Sequence, residues 1–479
     1  MICPSSESAA VPGVYANHWN LIREGYRSIR PLGLFSRAYR KILGRYLRFY
    51  IPEGHRVLEV GCGDGSLCQE LPGRPYTGLD LSPEQVDAAR RANPENTFHC
   101  GAGEVFSFDD TYDTLLLSDV LNEAADVQAL LANLRNAATA ETRLVINVHN
   151  TLWRPILGTA RRLGLKPVRP LQNWLSSEDI LNLLDLGGWE LVRHECRVLC
   201  PHPLLGLGTL ANRLLAPLFP WACLSLFFIA RPKPVERRAE DFSVSIIIPA
   251  RNEAGNIEAA VRRTPQLGKS TEIIFVEGHS SDETWATIQR VIAENPDRPI
   301  RAFQQSGKGK GDAMRLGYEK AKGDILMILD ADLTVPPEDL PKFFEAIASG
   351  QAEFANGVRL VYPMEVAAMR FLNMCGNKFF SLLFSWLLSL PIKDTLCGTK
   401  VFRRHHYDLI EANRAFFGDF DPFGDFDLIF GAAKLNLRIR DIPIRYQSRV
   451  YGEPQIDRWR DGWLLIRMSW FAARKLKFF

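Results

Sequence analysis

The sequence predicts an α/β protein of two consecutive domains, each built on a mostly parallel sheet. Three observations carry this. Short apolar runs end on glycines or carboxylates, as buried parallel strands do where their carboxyl ends meet a ligand. The strand, polar loop and helix pattern stops at the charged, proline-containing stretch Arg231 to Asp241 and restarts after it, which reads as a linker. A chain of 479 residues also exceeds what one core ordinarily serves. The divisions expected are a first domain over 1–231, a linker over 232–243, a second domain over 244–455 and a basic, aromatic helix over 456–479.

Composition narrows the class. At 46% hydrophobic and 24% charged residues the chain is globular. A net charge of +3 argues against a dedicated nucleic-acid binder. The nine cysteines are scattered and odd in number, as reduced thiols of a cytoplasmic protein are. The first residues lack the basic and apolar pattern of a secretory signal. Phe379 to Leu390 is uncharged but well short of the roughly 20 residues that span a bilayer, and Leu204 to Ala230 is interrupted by Arg213, Pro217 and Pro220.

In the first half, Trp19, Tyr26, Phe35, Tyr39, Tyr46 and Phe49 stand at mostly helical spacing among arginines, and read as helices capping a domain. Arg56 to Leu67 then reads as a strand, a glycine loop and a helix. Gly61, Gly63 and Gly65 let the backbone turn sharply and approach a ligand closely. Ser66 stands where a dinucleotide motif has its third glycine, so that motif is excluded. Thr77 to Asp80 is a second strand ending on an acid able to grip ribose hydroxyls; the competing reading is an acid at a helix start near Ser82 and Pro83. His194, Cys196, Cys200 and His202 invite a zinc reading. A straight strand spreads such residues too far apart for one ion.

Glu59-x-Gly61-x-Gly63-x-Gly65 followed by Asp80 resembles a class I, S-adenosylmethionine-dependent methyltransferase, over roughly residues 15–231. The resemblance implies a Rossmann-like fold in which Gly61, Gly63 and Gly65 line the methionine part of the cofactor. It also implies that Glu59 steadies the loop and Asp80 holds the ribose. Tyr112 to Glu123 and Leu144 to Val148 are similar to that family's fourth and fifth strands. The third strand ends on Gly101 instead of an acid, with Glu104 as a substitute. Glu123 and His149 stand at strand ends suited to a base, neither singled out.

In the second half, Val244 to Pro249 and Glu272 to Glu277 are strands followed by polar loops, and Ile325 to Leu329 runs into Asp330 and Asp332. Two acids one residue apart at such an edge suit a hard divalent cation carrying a phosphorylated substrate; the alternative is a solvated acidic turn. These residues resemble a family 2 glycosyltransferase of the GT-A fold, in its dolichol-phosphate mannosyltransferase-like branch, over 244 to about 470. By that resemblance Pro249, Glu253 and Glu277 contact the nucleoside of a nucleotide-sugar. Asp330 and Asp332 bind Mg²⁺ or Mn²⁺ and the diphosphate. Lys308 and Lys310 lie near that diphosphate, and Lys393 to Phe402, with Asp394, lies against donor and acceptor. Asp425 and Asp427 are candidates for the catalytic base, Asp427 favoured, and Arg449 forks onto phosphate.

Met369 to Leu390 and the terminal stripe Trp459, Trp463, Ile466 and Trp470 are apolar or aromatic and interleaved with arginine and lysine. They suit either the plane of an anionic membrane or packing on the second domain. The expectation is a bifunctional cytoplasmic transferase meeting the inner face of the membrane. It would move a sugar by inversion from a nucleotide donor to a polyprenyl-phosphate or glycolipid acceptor, and a methyl group from S-adenosylmethionine. The alternatives are a first domain that only binds a nucleoside or partners, and a second domain that is inactive.

Overall fold

The computed structural model describes residues 13–27, 34–162, 173–234, 238–359, 361–362, 371–414, 425–451 and 458–478. The chain divides into two compact units between Lys233 and Pro234. Among the described residues, no helix is long and apolar enough to cross a membrane.

The first unit is a seven-stranded sheet of β1 (Val57–Val60), β2 (Tyr76–Asp80), β3 (Thr97–Cys100), β4 (Tyr112–Ser118), β5 (Ala138–His149), β6 (Trp189–Arg197) and β7 (Ser225–Pro232). The strands run in the order β3-β2-β1-β4-β5-β7-β6. β1 to β5 are parallel, and β7 lies antiparallel between β5 and β6. Leu115, Leu116, Leu117, Leu144, Val145 and Ile146 are fully buried, which explains the continuous apolar runs of β4 and β5. The helix Pro83–Ala92 is capped by Ser82 and packs on β2 and β3. Val127–Asn133 packs against Ser177–Leu186, which begins with a Ser176/Asp179 capping box.

One expectation for this unit is corrected. No α-helix follows the glycine loop; a single 3-10 turn, Cys68–Glu70, takes its place. Pro72 cannot donate to a continuing helix, and Gly73 adopts φ +72°. The loop therefore offers a ligand its own amides, without a helix dipole behind them. β7 also extends through Arg231 and Pro232, and the next strand begins at Ser243.

The second unit has its own seven strands: β8 (Ser243–Ala250), β9 (Ser270–Glu277), β10 (Ile300–Gln304), β11 (Ile325–Ile328), β12 (Phe354–Val358), β13 (Lys400–Arg403) and β14 (Ile439–Pro443). Their order is β10-β9-β8-β11-β13-β12-β14. β10, β9, β8 and β11 are parallel, and β13 is antiparallel to both β11 and β12. All four residues of β11 are fully buried, each worth about 1.5–3 kcal/mol of burial. The backbone then makes one more ladder bond, Leu329 N to Ile247 O, before turning at Leu333, whose φ is +50°. Asp330 and Asp332 sit in that turn. The helix Lys310–Lys320 packs on β8 and β9 and delivers its first residues to the same edge.

In the helix Arg458–Ala472, Trp463, Ile466 and Trp470 are exposed at helical spacing, so the aromatic stripe forms one outward face. Met369, Arg370, Phe423, Gly424 and Gly452 lie outside the described residues.

Candidate active sites

At the carboxyl edge of the first sheet, Gly61, Gly63 and Gly65 take φ values of +79°, +53° and +68°. A Cβ on Gly61 would overlap Val120, so the loop and the segment after β4 touch only because residue 61 has no side chain. The buried Asp80 accepts the Gly63 N–H (2.8 Å) and the Ser82 N–H (2.9 Å), tying the end of β2 to the loop. A pocket opens beside it, walled by Trp19, Gly61, Asp80, Gly103, Glu104 and Glu123 among others. Three of these are acids and the wall has no basic residue, which suits a cationic ligand and disfavours a diphosphate.

Glu104 is on this wall, but its Oε1 accepts the Ala125 N–H (2.9 Å). Glu123 accepts from the Tyr26 hydroxyl (2.7 Å), and its carbonyl meets His18 (2.8 Å). Tyr15 donates to Asp126 in the same region and Arg23 to the Leu81 carbonyl (3.2 Å), so these polar contacts hold the helix Gly13–Arg27 across the pocket. Glu59 is buried and bonded by the Tyr76 hydroxyl instead of by a loop amide; burial pushes its carboxyl up to about 7 against that bond. The structure thus brings Gly61 and Asp80 to the pocket wall and places Glu59 behind it.

Sequence reasoning left Asp119 unassigned. It follows β4 with φ +57° and accepts from His149 Nδ1 (3.0 Å) and Asn147 Nδ2 (3.1 Å). With Nδ1 donating, Nε2 is the acceptor, and it has no hydrogen-bond partner among the described residues. Tyr39 packs on the imidazole at 5.8 Å between centroids.

The second site gathers alternating charges at the ends of β8, β9 and β11. Lys310 Nζ lies 2.6 Å from Asp330 and 3.8 Å from Asp425. Burial disfavours its charge, yet the two carboxylates outweigh burial and raise its pKa; Asp330 is likewise driven below the usual range, Lys310 outweighing burial. Arg449 lies 2.6 Å from Asp332 and 3.1 Å from Glu253, and Arg315 3.6 Å from Asp427. Glu253 is pushed up to about 7, burial outweighing its bond from Asn256 and the nearby Arg449. Burial also acts on Glu277, but the Ser280 N–H and the Gln304 amide hold its pKa down. A Cβ on Gly398 would overlap both the Asp330 carboxylate and the Lys310 ammonium.

Of the residues expected here, Glu253, Lys310, Asp330, Asp332, Asp425 and Arg449 come together through these pairs, while Asp427 pairs with Arg315. Pro249, opposite Val276, and Glu277, opposite Ala250, stand at the ends of β8 and β9. Asp394 does not stand open to a ligand. It is fully buried and closed by Arg359 (2.7 and 2.9 Å), Asn377 (2.9 Å) and the Leu396 N–H (3.0 Å). Burial alone would raise its pKa; Arg359 brings it down to about 2. Arg359 and Arg315 had no local signal, since their partners lie far along the chain.

Asp330 and Asp332 are the residues that could hold a divalent ion, since both present hard oxygens; each is paired with a cation, Lys310 and Arg449.

The two sheets and their edges define a chain of two ligand-binding α/β domains, Rossmann-like and then GT-A-like. Residues 28–194 match a methyltransferase domain family and 245–409 match glycosyl transferase family 2. The chain therefore carries a methyltransferase domain followed by a family 2 glycosyltransferase domain. Glycosyltransferase AglD of Haloferax volcanii is 30% identical over 254 residues, 50% of this chain and 39% of that protein. The dolichol-phosphate mannosyltransferase of Pyrococcus furiosus is 33% identical over 176 residues, 36% of this chain and 49% of that protein. The chain thus spans less than half the length of these curated relatives. An S-adenosylmethionine-dependent methyltransferase structure from Mesorhizobium loti aligns at 21% identity and TM-score 0.31, over 39% of this chain and 96% of that one.

Proposed function

We propose that the second domain transfers a sugar, with inversion, from a nucleotide donor to a lipid phosphate or glycolipid at the membrane face, and that the first transfers a methyl group from S-adenosylmethionine. One observation carries the first half of this reading. Asp330 and Asp332 leave the most buried strand of a nucleotide-type sheet already neutralised by Lys310 and Arg449. Such an edge accepts a diphosphate together with its counter-ion.

A divalent ion on Asp330 and Asp332 would neutralise the departing diphosphate. Lys310 and Arg449 exchange their carboxylates for phosphate oxygens as donor enters. Glu253 and Glu277 frame the nucleoside. Asp427 or Asp425 would face the acceptor; an ionised lipid phosphate needs orientation there more than a base. The exposed Trp463, Ile466 and Trp470 face supports contact with a membrane carrying that acceptor.

In the first domain the cofactor supplies a methyl group on a sulfonium, and the acidic wall at Asp80, Glu104 and Glu123 complements that positive charge. His149 Nε2, with Asp119 holding Nδ1, would take the proton of a hydroxyl or amine acceptor.

The test follows nucleotide release from a panel of nucleotide-sugars with manganese and with chelator, beside tritium transfer from labelled S-adenosylmethionine. Metal-dependent release and methyl turnover are expected. Release indifferent to metal would overturn the first assignment, and cofactor retention without turnover would reduce the first domain to a binding module.

A further inference from the structure

We propose that the first unit carries a docking surface for an anionic lipid bilayer, built from the turn and helix after β5 and from residues 204–221. Most of the large exposed apolar side chains of this unit fall in these two stretches. Leu205 is fully exposed, and Leu207, Leu210, Leu218, Trp221 and Ile156 are each more than half exposed. Patches of this kind mark interaction sites.

The fold holds these side chains outward. Asn150 donates to the carbonyls of Trp221 and Cys223 (3.0 Å each), and the Trp153 indole donates to Ala222 (2.9 Å), stapling the two stretches together. Asn212 exchanges two 2.7 Å bonds with the Cys200 backbone, fixing the helix Leu207–Leu214. Leu204 and Leu205 take φ of +44° and +55°, which β-carbon-bearing residues seldom hold.

Charge selects the occupant. Residues 151–162 contain three arginines and no acid, and 198–224 contain no acid either. Arg154 and Arg162 are exposed. A second copy of this chain would set arginine against arginine with no carboxylate between them. An anionic headgroup layer answers both the apolar side chains and the cations. The turn starts directly after His149, at the sheet edge that bears the pocket. If the methyl-transfer reading above holds, the acceptor is therefore carried by the bilayer; the docking itself does not rest on that reading.

The test uses the full chain with Trp463→Glu and Trp470→Glu, so that the terminal aromatic face contributes nothing. Sedimentation with phosphatidylcholine vesicles, with and without phosphatidylglycerol, measures partition, and light scattering gives the mass. Binding to the anionic vesicles is expected, falling at least about tenfold on Leu207→Glu with Leu210→Glu. Arg154→Glu, which leaves the apolar face intact, is expected to weaken the salt-sensitive part of binding. Cofactor calorimetry confirms that the variants remain folded. No partition in the starting protein, partition unmoved by the leucine pair, or a mass that halves while partition persists would each overturn the proposal.

Discussion

The two units share a design and differ in charge. β3-β2-β1-β4 in the first and β10-β9-β8-β11 in the second are the same parallel arrangement, with the ligand edge after the same strands. At the first edge the backbone holds the site together: Asp80 binds the amides of Gly63 and Ser82, and the pocket wall has acids and no cation. At the second edge side chains hold it together, and carboxylates alternate with Lys310, Arg449 and Arg315. Topology places an edge, while the sign of the ligand decides what decorates it. On the function proposed above, the acids of the first edge would meet a sulfonium and the cations of the second would change partners for a diphosphate.

The comparison breaks most sharply at Asp332. Asp332→Ala is expected to lower metal-dependent nucleotide release by roughly 10³-fold, leaving cofactor affinity at the first edge unchanged. Parallel calorimetry and release assays check this; a coupled loss at both edges would deny that they work separately.

Next in size is Arg359→Ala, which strands the Asp394 carboxylate without its main counter-charge in a fully buried place. A cost of about 3–5 kcal/mol is expected in denaturant unfolding of the second unit. A change below 1 kcal/mol, roughly the value of an exposed pair, would show that solvent reaches Asp394.

The first unit should show a pH effect at Glu59. Its folded pKa of about 7 lies above the ordinary 4.5, so the folded state keeps a proton that the unfolded chain releases between those values. The associated stability is complete below pH 4.5 and is lost as pH rises through 7. Glu59→Gln should flatten this decline, by about 2–3 kcal/mol across the window. An unaltered slope would assign the titration elsewhere.

The smallest effect is expected at Gly61→Ala. A positive φ and contact with Val120 together cost about 1–2 kcal/mol, read as an approximately tenfold loss of cofactor affinity. Normal affinity would mean that the loop can open without harm.

Much of this was legible in the sequence because buried parallel strands are written as unbroken apolar runs. Ile325 to Leu329 announced both a strand and the acids at its end, and Gly61, Gly63 and Gly65 announced a tight loop. Local pattern failed where a later residue intervened, as when Pro72 and Gly73 stopped the helix expected after that loop. It also failed where a partner was distant. Asp394 reads as a polar residue beside a substrate until Arg359 and Asn377 close over it. Residues 204–221 read as an interrupted greasy stretch, and only the fold shows their side chains facing out.

Gly398 carries a consequence for anyone screening variants of this chain. A methyl group there would meet first the Asp330 carboxylate and the Lys310 ammonium, side-chain ends that can turn aside without disturbing the strands. Gly398→Ala should melt at the ordinary temperature and express normally, yet hold the two charges apart. Such a lesion passes every test of solubility and folding, and is detected only by asking the molecule to do its work.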